Sequence, residues 1–456
     1  VELFSDFPNR YTARFHQPVQ TIFLNTNYRS TCTIVDFVNE YGRLDSSYQT
    51  VRVNGKPVLI PHTGASTGLP ILGMFRNDLQ VLAADLASFI HDVFRGSGFT
   101  LPDGQQIIRD SDNGDLGDCA LLCSSPKESK ENGDFRLPGA IRDELGQMLP
   151  PIEVFNPRGE DICSHEQVAL FGGIILECID PGAEIQNTIN WLSDNVRDTM
   201  NHWRDLAIDY VNDPACPAGL YQYVVAWVDR DPGKKGHYWP RSTPAIRLVW
   251  DLVHWFPYFH DDPEGQLYLE VFTRQLSSSD TIGKFKGNVV YDPVNQTLSD
   301  KSVLELLRNF LIPIASNTIK IDEELVQIFP RDRLSILSVH QAKGLEFPLT
   351  IVDVGSDFRT NASGHAFKRF PRSGGLTHNM EDYLRAYSPI TIARSGIDRA
   401  FDDLYRQYFV AFSRPQTVLL LVGHSACMPG GGVLSVSTGR DRQGQEHWDA
   451  HTLVLI

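Results

Sequence analysis

Three short segments of this chain place polar or charged side chains next to the predicted end of a strand or a helix. The first, residues 27–30, reads Asn-Tyr-Arg-Ser and follows an apolar run at 21–24 that predicts a strand. An arginine there can offer a planar fork of donors to a phosphate, and a neighbouring tyrosine can stack on a base. The segment alone is a weak signal, because an arginine at a strand end is usually solvated or paired with a carboxylate.

The second segment, residues 335–348, reads Ser-Ile-Leu-Ser-Val-His-Gln-Ala-Lys-Gly-Leu-Glu-Phe-Pro. It predicts a strand that ends in a polar loop, from which His340, Lys343 and Glu346 emerge before the next strand begins. Ligands of open α/β sheets bind beyond such strand ends, so this loop is a candidate site. The alternative is a surface loop whose lysine and glutamate are merely solvated.

The third segment, residues 404–415, reads Leu-Tyr-Arg-Gln-Tyr-Phe-Val-Ala-Phe-Ser-Arg-Pro. Leu404, Tyr408 and Phe412 fall on one face of a predicted helix, which Pro415 discourages from continuing. Arg414 is therefore presented at the helix end. A cation is favourable near the negative end of the helix dipole, so from the residues alone Arg414 has a simple capping role.

In this order, the three segments resemble the motor motifs of UvrD/Rep/PcrA-type helicases, which belong to superfamily one. The resemblance implies that Tyr28 stacks on adenine and that Arg29 reaches the γ-phosphate of ATP. It further implies that Glu346 contacts the ribose and that Arg414 is a second arginine finger. Two arginines supplied by a neighbouring domain can make phosphoryl transfer depend on closure of that domain.

The same resemblance implies a nucleic-acid partner. His340, together with Lys343, is expected to contact single-stranded DNA, and the whole protein to act at duplex junctions as an ATP-dependent 3′-5′ helicase or translocase. Alternating grips on the single strand would convert the hydrolysis cycle into movement. The residues themselves do not exclude RNA as the substrate.

The chain departs from the family pattern in ways that bear on its cofactors. It has no Gly-x-x-x-x-Gly-Lys-Ser/Thr loop, so the first motor domain is expected upstream, where it would complete the site for ATP and Mg²⁺. We therefore expect this chain alone to bind no cofactor tightly and to be inactive. Ser338 stands where the family commonly has threonine, and Pro415 where alanine is common.

The element pattern predicts an α/β fold, and the resemblance makes it a RecA-like parallel sheet with helices on both faces, interrupted by a mainly helical inserted domain. One long amphipathic helix is predicted over 185–210, and six of the seven tryptophans lie in the same part of the chain. We assign 1–163 to the first part of the second motor domain, 164–332 to the insertion and 333–456 to the remainder of the motor domain. Buried strands are predicted at 119–123, 334–339, 349–354 and 417–422, and helices at 34–41 and 79–93.

Composition narrows the class of protein. The net charge of −15 counts against a broad nucleic-acid-binding coat but not against a narrow basic channel. Seven scattered cysteines suggest reduced thiols, and no long uncharged apolar run suggests a membrane span or an export signal. We expect a cytoplasmic protein, nuclear if it is eukaryotic.

Three other features have structural interpretations. Cys119 and Cys123 fit a buried strand better than a zinc site, and no metal site is expected. The aromatic run at 254–260 fits a core better than a base-stacking platform, although either is possible from sequence. Asn54-Gly55-Lys56 predicts the turn of a small hairpin.

A second class of function stays open. A helicase-like domain without its own nucleotide loop could be a catalytically silent module that docks a DNA repair or recombination protein. A phosphate-binding loop and an acidic magnesium site before Val1 in the full gene product would favour the motor. Their absence from that product would favour the docking module.

Overall fold

The computed structural model describes residues 2–20, 22–50, 57–229, 240–322, 329–355, 396–428, 436–448 and 452–456. Contacts divide the chain into two compact units. The sheet unit comprises Val1–Val154 and Pro330–Ile456, and the helical unit comprises Phe155–Phe329. Both boundaries fall earlier in the chain than the positions expected from the sequence, 163/164 and 332/333.

The helices and strands were numbered along the chain. Those before the helical unit are α1 (Glu2–Phe15), β1 (Thr26–Asn27), α2 (Cys32–Tyr41), α3 (Ser46–Gln49), β2 (Ile60–Pro61), β3 (Leu72–Arg76), α4 (Leu79–Phe94), β4 (Phe99–Thr100), β5 (Gln106–Ile107), β6 (Cys119–Cys123), α5 (Leu137–Gln147) and β7 (Val154–Phe155). Those within it are α6 (Glu166–Ile179), α7 (Asp194–Asn212), α8 (Ala218–Val228), β8 (Ser242–Pro244), α9 (Ala245–Val253), α10 (Tyr258–Asp261), α11 (Pro263–Ile282), β9 (Asn288–Val290), α12 (Gln296–Leu306) and α13 (Ile312–Ala315). Those after it are β10 (Leu334–Ser338), β11 (Phe347–Gly355), α14 (Gly396–Phe412), β12 (Pro415–His424) and β13 (Val454–Leu455).

Seven of these strands form one sheet in the order β13-β3-β12-β11-β6-β10-β7. Each neighbouring pair from β13 to β10 runs parallel. Helices α4 and α5 pack on one face, against alternate strand residues such as Leu420 and Val422. The intervening Leu419 and Leu421 are buried as well, so both faces are covered, as the apolar strand runs require. The α/β class and a parallel sheet flanked by helices are therefore confirmed.

The predicted strand at 21–24 is wrong. Residues 22–24 form no strand, and Ile22 and Leu24 are 72% and 94% exposed. The short strand β1 begins instead at Thr26 and pairs with β2, outside the large sheet. An apolar run predicts a strand because strand side chains are usually buried. The side chains of residues 22–24 are exposed, so the pattern misleads here. The predicted turn at 54–56 lies outside the described residues.

The predicted helix over 185–210 is shorter than expected, since α7 begins at Asp194. Before it, Gln186–Thr188 forms a single 3₁₀ turn, and Ile189 has an extended backbone with φ −82° and ψ 95°. The carboxylate of Asp180 accepts hydrogen bonds from the backbone N–H groups of Ile185 and Gln186, at 2.8 and 3.0 Å. These local bonds give the backbone an alternative to continuing a helix.

The aromatic run at 254–260 is part of a core, as the sequence favoured. Phe256 and Phe259 are 4% and 0% exposed and pack against Phe171 in the helical unit. His254 and His260 are exposed at the two ends of the run. A second aromatic stretch, Gly-His-Tyr-Trp at 236–239, could be read from sequence in the same two ways, and it lies outside the described residues.

Helices α6 and α7 approach each other closely at a glycine. A Cβ atom on Gly173 would lie 1.9 Å from the carbonyl oxygen of Trp203, far inside van der Waals contact. We expect Gly173→Ala to destabilise the helical unit by about 1–3 kcal/mol, because the helices must move apart to admit the methyl group. Urea unfolding followed by tryptophan fluorescence measures this, since six of the seven tryptophans belong to this unit.

Gly219→Ala is the matched control. It lies in α8 of the same unit, and its Cβ would meet Trp255 at 3.4 Å, an ordinary contact. We expect this variant to keep its stability or gain about 0.5–1 kcal/mol from alanine's helix propensity. Equal unfolding midpoints for the two variants would contradict the close packing at Gly173.

Candidate functional site

The three segments singled out in the sequence meet at the amino ends of β11 and β12. Phe347 and Pro415 are paired in register, and the N–H of Phe347 donates to the carbonyl oxygen of Arg414 at 3.3 Å. Glu346 and Arg414, which immediately precede the two strands, are therefore neighbours. The hydrogen bond between Phe347 and Arg414 therefore fixes the backbone from which the Glu346 and Arg414 side chains project.

Residues 27–30 form a turn that is fastened to the start of β12. The Asn27 side-chain oxygen accepts hydrogen bonds from the backbone N–H groups of Arg29 and Ser30, at 2.8 and 2.9 Å. The Ser30 hydroxyl donates to the carbonyl oxygen of Pro415 at 2.7 Å. Asparagine and serine are residue types that hold such turns with their own side chains. Tyr28 and Arg29 are consequently left to project towards a cavity in the sheet unit.

Arg29 forms an ion pair with Glu346. Its Nε donates to a carboxylate oxygen of Glu346 at 2.6 Å, and one terminal nitrogen donates to the carbonyl oxygen of Ser413 at 3.1 Å. The two side chains are 27% and 49% exposed, so the pair is open to solvent. An exposed pair of this kind contributes little to stability, on the order of 0–1 kcal/mol.

Arg414 is held by the backbone around it. Its Nε donates to the carbonyl oxygen of Val410 in the last turn of α14 at 3.0 Å, and one terminal nitrogen donates to that of Leu345 at 3.1 Å. The other terminal nitrogen donates to the Ser413 hydroxyl at 2.9 Å. Arg414 therefore caps the end of α14, as the sequence suggested. Its side chain also lines the cavity.

These residues line a cavity of about 570 Å³ in the sheet unit. Tyr28 lies at the edge of this cavity, and 78% of its surface is exposed. Its ring centroid is 5.8 Å from the ring centroid of His62. The sequence gave a binding role to four of the lining residues. Asn27, Phe409 and Ser413 belong to the same segments but were given no role, and Thr26, Leu59 and Gln416 lie outside those segments. The full lining is Thr26, Asn27, Tyr28, Arg29, Leu59, Glu346, Phe409, Ser413, Arg414 and Gln416.

Electrostatics favour an anion here. The hydrogen bond from Arg29 lowers the pKa of the Glu346 carboxyl group. Burial, followed by the nearby charge of Arg29, lowers the pKa of the Arg414 guanidinium to about 10. Arg414 is still protonated at neutral pH, so two guanidinium groups face one carboxylate. The cluster carries an excess positive charge that a phosphate group would balance.

His340 and Lys343 are not among the cavity-lining residues. Both are exposed, in the turns that follow β10. The Ser338 N–H donates to the side-chain oxygen of Gln341 at 2.8 Å, and the Gln341 N–H donates to the Ser338 hydroxyl at 3.2 Å. This reciprocal pair fixes the first turn, and the hydroxyl of Ser338, where the resembling family has threonine, takes part in it.

The expected location at strand carboxyl ends is therefore wrong for the cavity. β10 and β11 both run parallel to β6, so residues 339–346 lead from the carboxyl edge of the sheet to its amino edge. His340 follows the carboxyl end of β10, whereas Glu346 precedes the amino end of β11. The sequence order of the motif did not reveal that its two ends lie at opposite edges.

Other candidate chemistry is limited in the part of the chain that the structure describes. No three His, Cys, Asp or Glu side chains there are grouped to hold a metal ion. Cys119 and Cys123 are fully buried in β6, as predicted for a strand. None of the described helices is both long enough and apolar enough to cross a bilayer.

Models of known protein families and the sequences of curated proteins were both compared with this chain, and neither comparison gave a match.

Proposed function

We propose that this chain is the second, RecA-like motor domain of an ATP-dependent 3′-5′ DNA helicase or translocase, with an inserted helical domain. The observation that carries the proposal is the convergence of Tyr28, Arg29, Glu346 and Arg414 on one cavity. They come from three segments far apart in the chain, and the motif resemblance assigned all four to nucleotide binding. The parallel α/β sheet is consistent with that family's architecture.

In this proposal the cavity forms half of a nucleotide site. Arg29 and Arg414 would face the terminal phosphates, where positive charge stabilises the charge that spreads over oxygen atoms during phosphoryl transfer. Tyr28 is exposed enough to stack on adenine. Glu346, the one carboxylate among the described residues that line the cavity, is paired with Arg29, so the Mg²⁺ ligands and the phosphate-binding loop would come from the other motor domain.

The positions of the loop ends suit coupling between ATP and DNA. His340 and Lys343 would contact the single strand at one edge of the sheet, and Glu346 the nucleotide at the other. Residues 339–346 lead from one edge to the other, so a displacement at one end can reach the other through a short, turn-rich segment. Closure of two motor domains around ATP would then be felt at the DNA contacts.

Hydrolysis of ATP by the full-length gene product, with and without single-stranded DNA, tests the proposal. We expect strong stimulation by DNA in the full-length protein and no hydrolysis by the 456-residue chain alone. Adding the separately expressed upstream domain should restore DNA-stimulated hydrolysis if the arginines act in trans. A full-length protein that hydrolyses no ATP would refute the motor.

A catalytically silent docking module is the second candidate. It is favoured by one observation: both arginines already have partners within the chain, Glu346 and Ser413 for Arg29, and Val410 and Leu345 for Arg414. Such bonds would suffice for a purely structural role. In that case alanine variants of the two arginines would change stability without changing any ATP-dependent activity.

Tyr28 has a separate expected signature. Tyr28→Ala should raise the KM for ATP about tenfold in the full-length protein and leave kcat within about twofold, since base stacking is worth roughly 1–3 kcal/mol and is present before and during catalysis. Tyr28→Phe keeps the ring and should behave as wild type. Steady-state hydrolysis measures both constants. A lowered kcat with unchanged KM would argue that Tyr28 does not hold the base.

A further inference from the structure

We propose that Glu346 takes the place of a phosphate beside Arg29, and thereby weakens phosphate binding by this chain until the carboxylate is displaced. The inference rests on the proposed function, because it concerns the same cavity. It adds a regulatory role to a residue that the motif resemblance links only to the ribose. The ligand class is inorganic phosphate or the terminal phosphate of a nucleotide.

The geometry of Arg29 supports this role. A guanidinium binds either a carboxylate or a phosphate through the same planar N–H donors. When one of these groups occupies an edge of the guanidinium, the other cannot bind there. Glu346 holds Nε at 2.6 Å, and the Ser413 carbonyl oxygen holds a terminal nitrogen at 3.1 Å. A phosphate could gain the Nε donor only after the carboxylate leaves.

The Glu346 side chain is free enough to leave. Nearly half of it, 49%, is exposed, and the exchange needs no opening of the core. Glu346 also precedes β11 directly, so its backbone stays fixed while the side chain rotates. Displacement is therefore a local step that breaks the ion pair with Arg29 and the hydrogen bond with Gln416.

Charge balance gives the direction of the effect. Among the described residues that line the cavity, two guanidinium groups and one carboxylate give one excess positive charge, and removal of the carboxylate charge leaves two. Burial and the charge of Arg29 already disfavour the protonated form of Arg414. An incoming anion relieves that repulsion, and it does so more strongly when Glu346 is neutral.

The test is a ³¹P NMR titration of the 456-residue chain with inorganic phosphate at constant ionic strength. Glu346→Gln should bind phosphate on the order of two- to fivefold more tightly than wild type, the equivalent of one exposed ion pair. Glu153→Gln removes a carboxylate that pairs with Arg333 at 2.9 Å in the same unit, and it is the charge-matched control. That variant should bind phosphate like wild type.

The double variant Arg29→Ala/Glu346→Gln tests the location, and it should lose the gain. Adenosine lacks phosphate but keeps the ribose that Glu346 is proposed to contact, so its affinity should not increase in Glu346→Gln and should fall if that contact is lost. Phosphate affinity that is unchanged or reduced in Glu346→Gln overturns the inference, and so does an equal gain for adenosine. The titration needs no hydrolysis, so the inference can stand or fall independently of the ATPase assay.

Discussion

Arg414→Ala is expected to reduce DNA-stimulated ATP hydrolysis by the full-length protein by about 10³-fold or more, the range measured for loss of an arginine finger. The side chain lines the cavity and lies beside the Arg29–Glu346 pair, where it would meet charge developing on the γ-phosphate. Arg414→Lys should recover little of the activity, because a lysine cannot present the planar fork of donors. Single-turnover hydrolysis with saturating single-stranded DNA measures the chemical step directly.

The capping bonds of Arg414 require a control for stability. Arg406 lies in α14, which ends just before Arg414, and its side chain is 43% exposed and 4.0 Å from Asp403. Arg406→Ala should hydrolyse ATP at the wild-type rate. The thermal midpoint of Arg414→Ala should stay close enough to wild type for the assay temperature to lie well below it. Normal hydrolysis by a folded Arg414→Ala protein would rule out the finger.

Arg442→Ala is expected to destabilise the sheet unit by about 3–5 kcal/mol, the cost of leaving buried charges unpaired. Its guanidinium donates to Asp45 at 3.1 Å, to Asp402 at 2.9 Å and to Asp398 at 2.5 Å. The Asp45 and Asp402 side chains are only 1% and 5% exposed. Burial alone lowers the pKa of Arg442, but its bonds to Asp45 and Asp402 raise it above the usual value.

Chemical unfolding measures this loss, with Arg331→Ala as the control. Arg331 belongs to the same unit and pairs with Asp115 at 2.6 Å, but it is 64% exposed, so its loss should cost far less stability than the loss of Arg442. Adding Asp402→Asn to Arg442→Ala should restore part of the stability, since it removes one buried carboxylate charge that has lost its bond to Arg442. Similar costs for Arg442→Ala and Arg331→Ala would contradict the importance of burial at this cluster.

Burial decided which elements could be predicted from the sequence. The apolar runs at β6 and β10 are central strands covered on both faces, so their patterns were clear. Residues 22–24 are just as apolar but exposed, and nothing local distinguishes them from a strand. The start of α7 depended on hydrogen bonds to Asp180, a partner outside the periodic pattern that predicted the helix.

The candidate site was predictable in its motif residues but not in its geometry. The resemblance to the helicase family predicted the roles of Tyr28, Arg29, Glu346 and Arg414. The spacing of the residues alone would not have identified them. The ion pair between Arg29 and Glu346 joins residues 317 positions apart, a distance over which one sequence gives no pairing information. Gln416 lines the cavity because it lies at the start of β12, and no motif marks that position.

The strand order has a consequence for how the chain folds during synthesis. Within the sheet, β3 lies between β12 and β13, and β6 lies between β10 and β11, all of which are made after the helical unit. A ribosome-bound chain that has reached residue 329 therefore has two central strands with neither neighbour available. The helical unit is one uninterrupted stretch of chain, so we expect it to fold first. Residues 2–154 must remain without their later strand partners in the meantime, and we expect chaperones to protect them. Phosphate binding would therefore appear only after the C-terminal strands have joined the sheet, and it would report that this step of folding is complete.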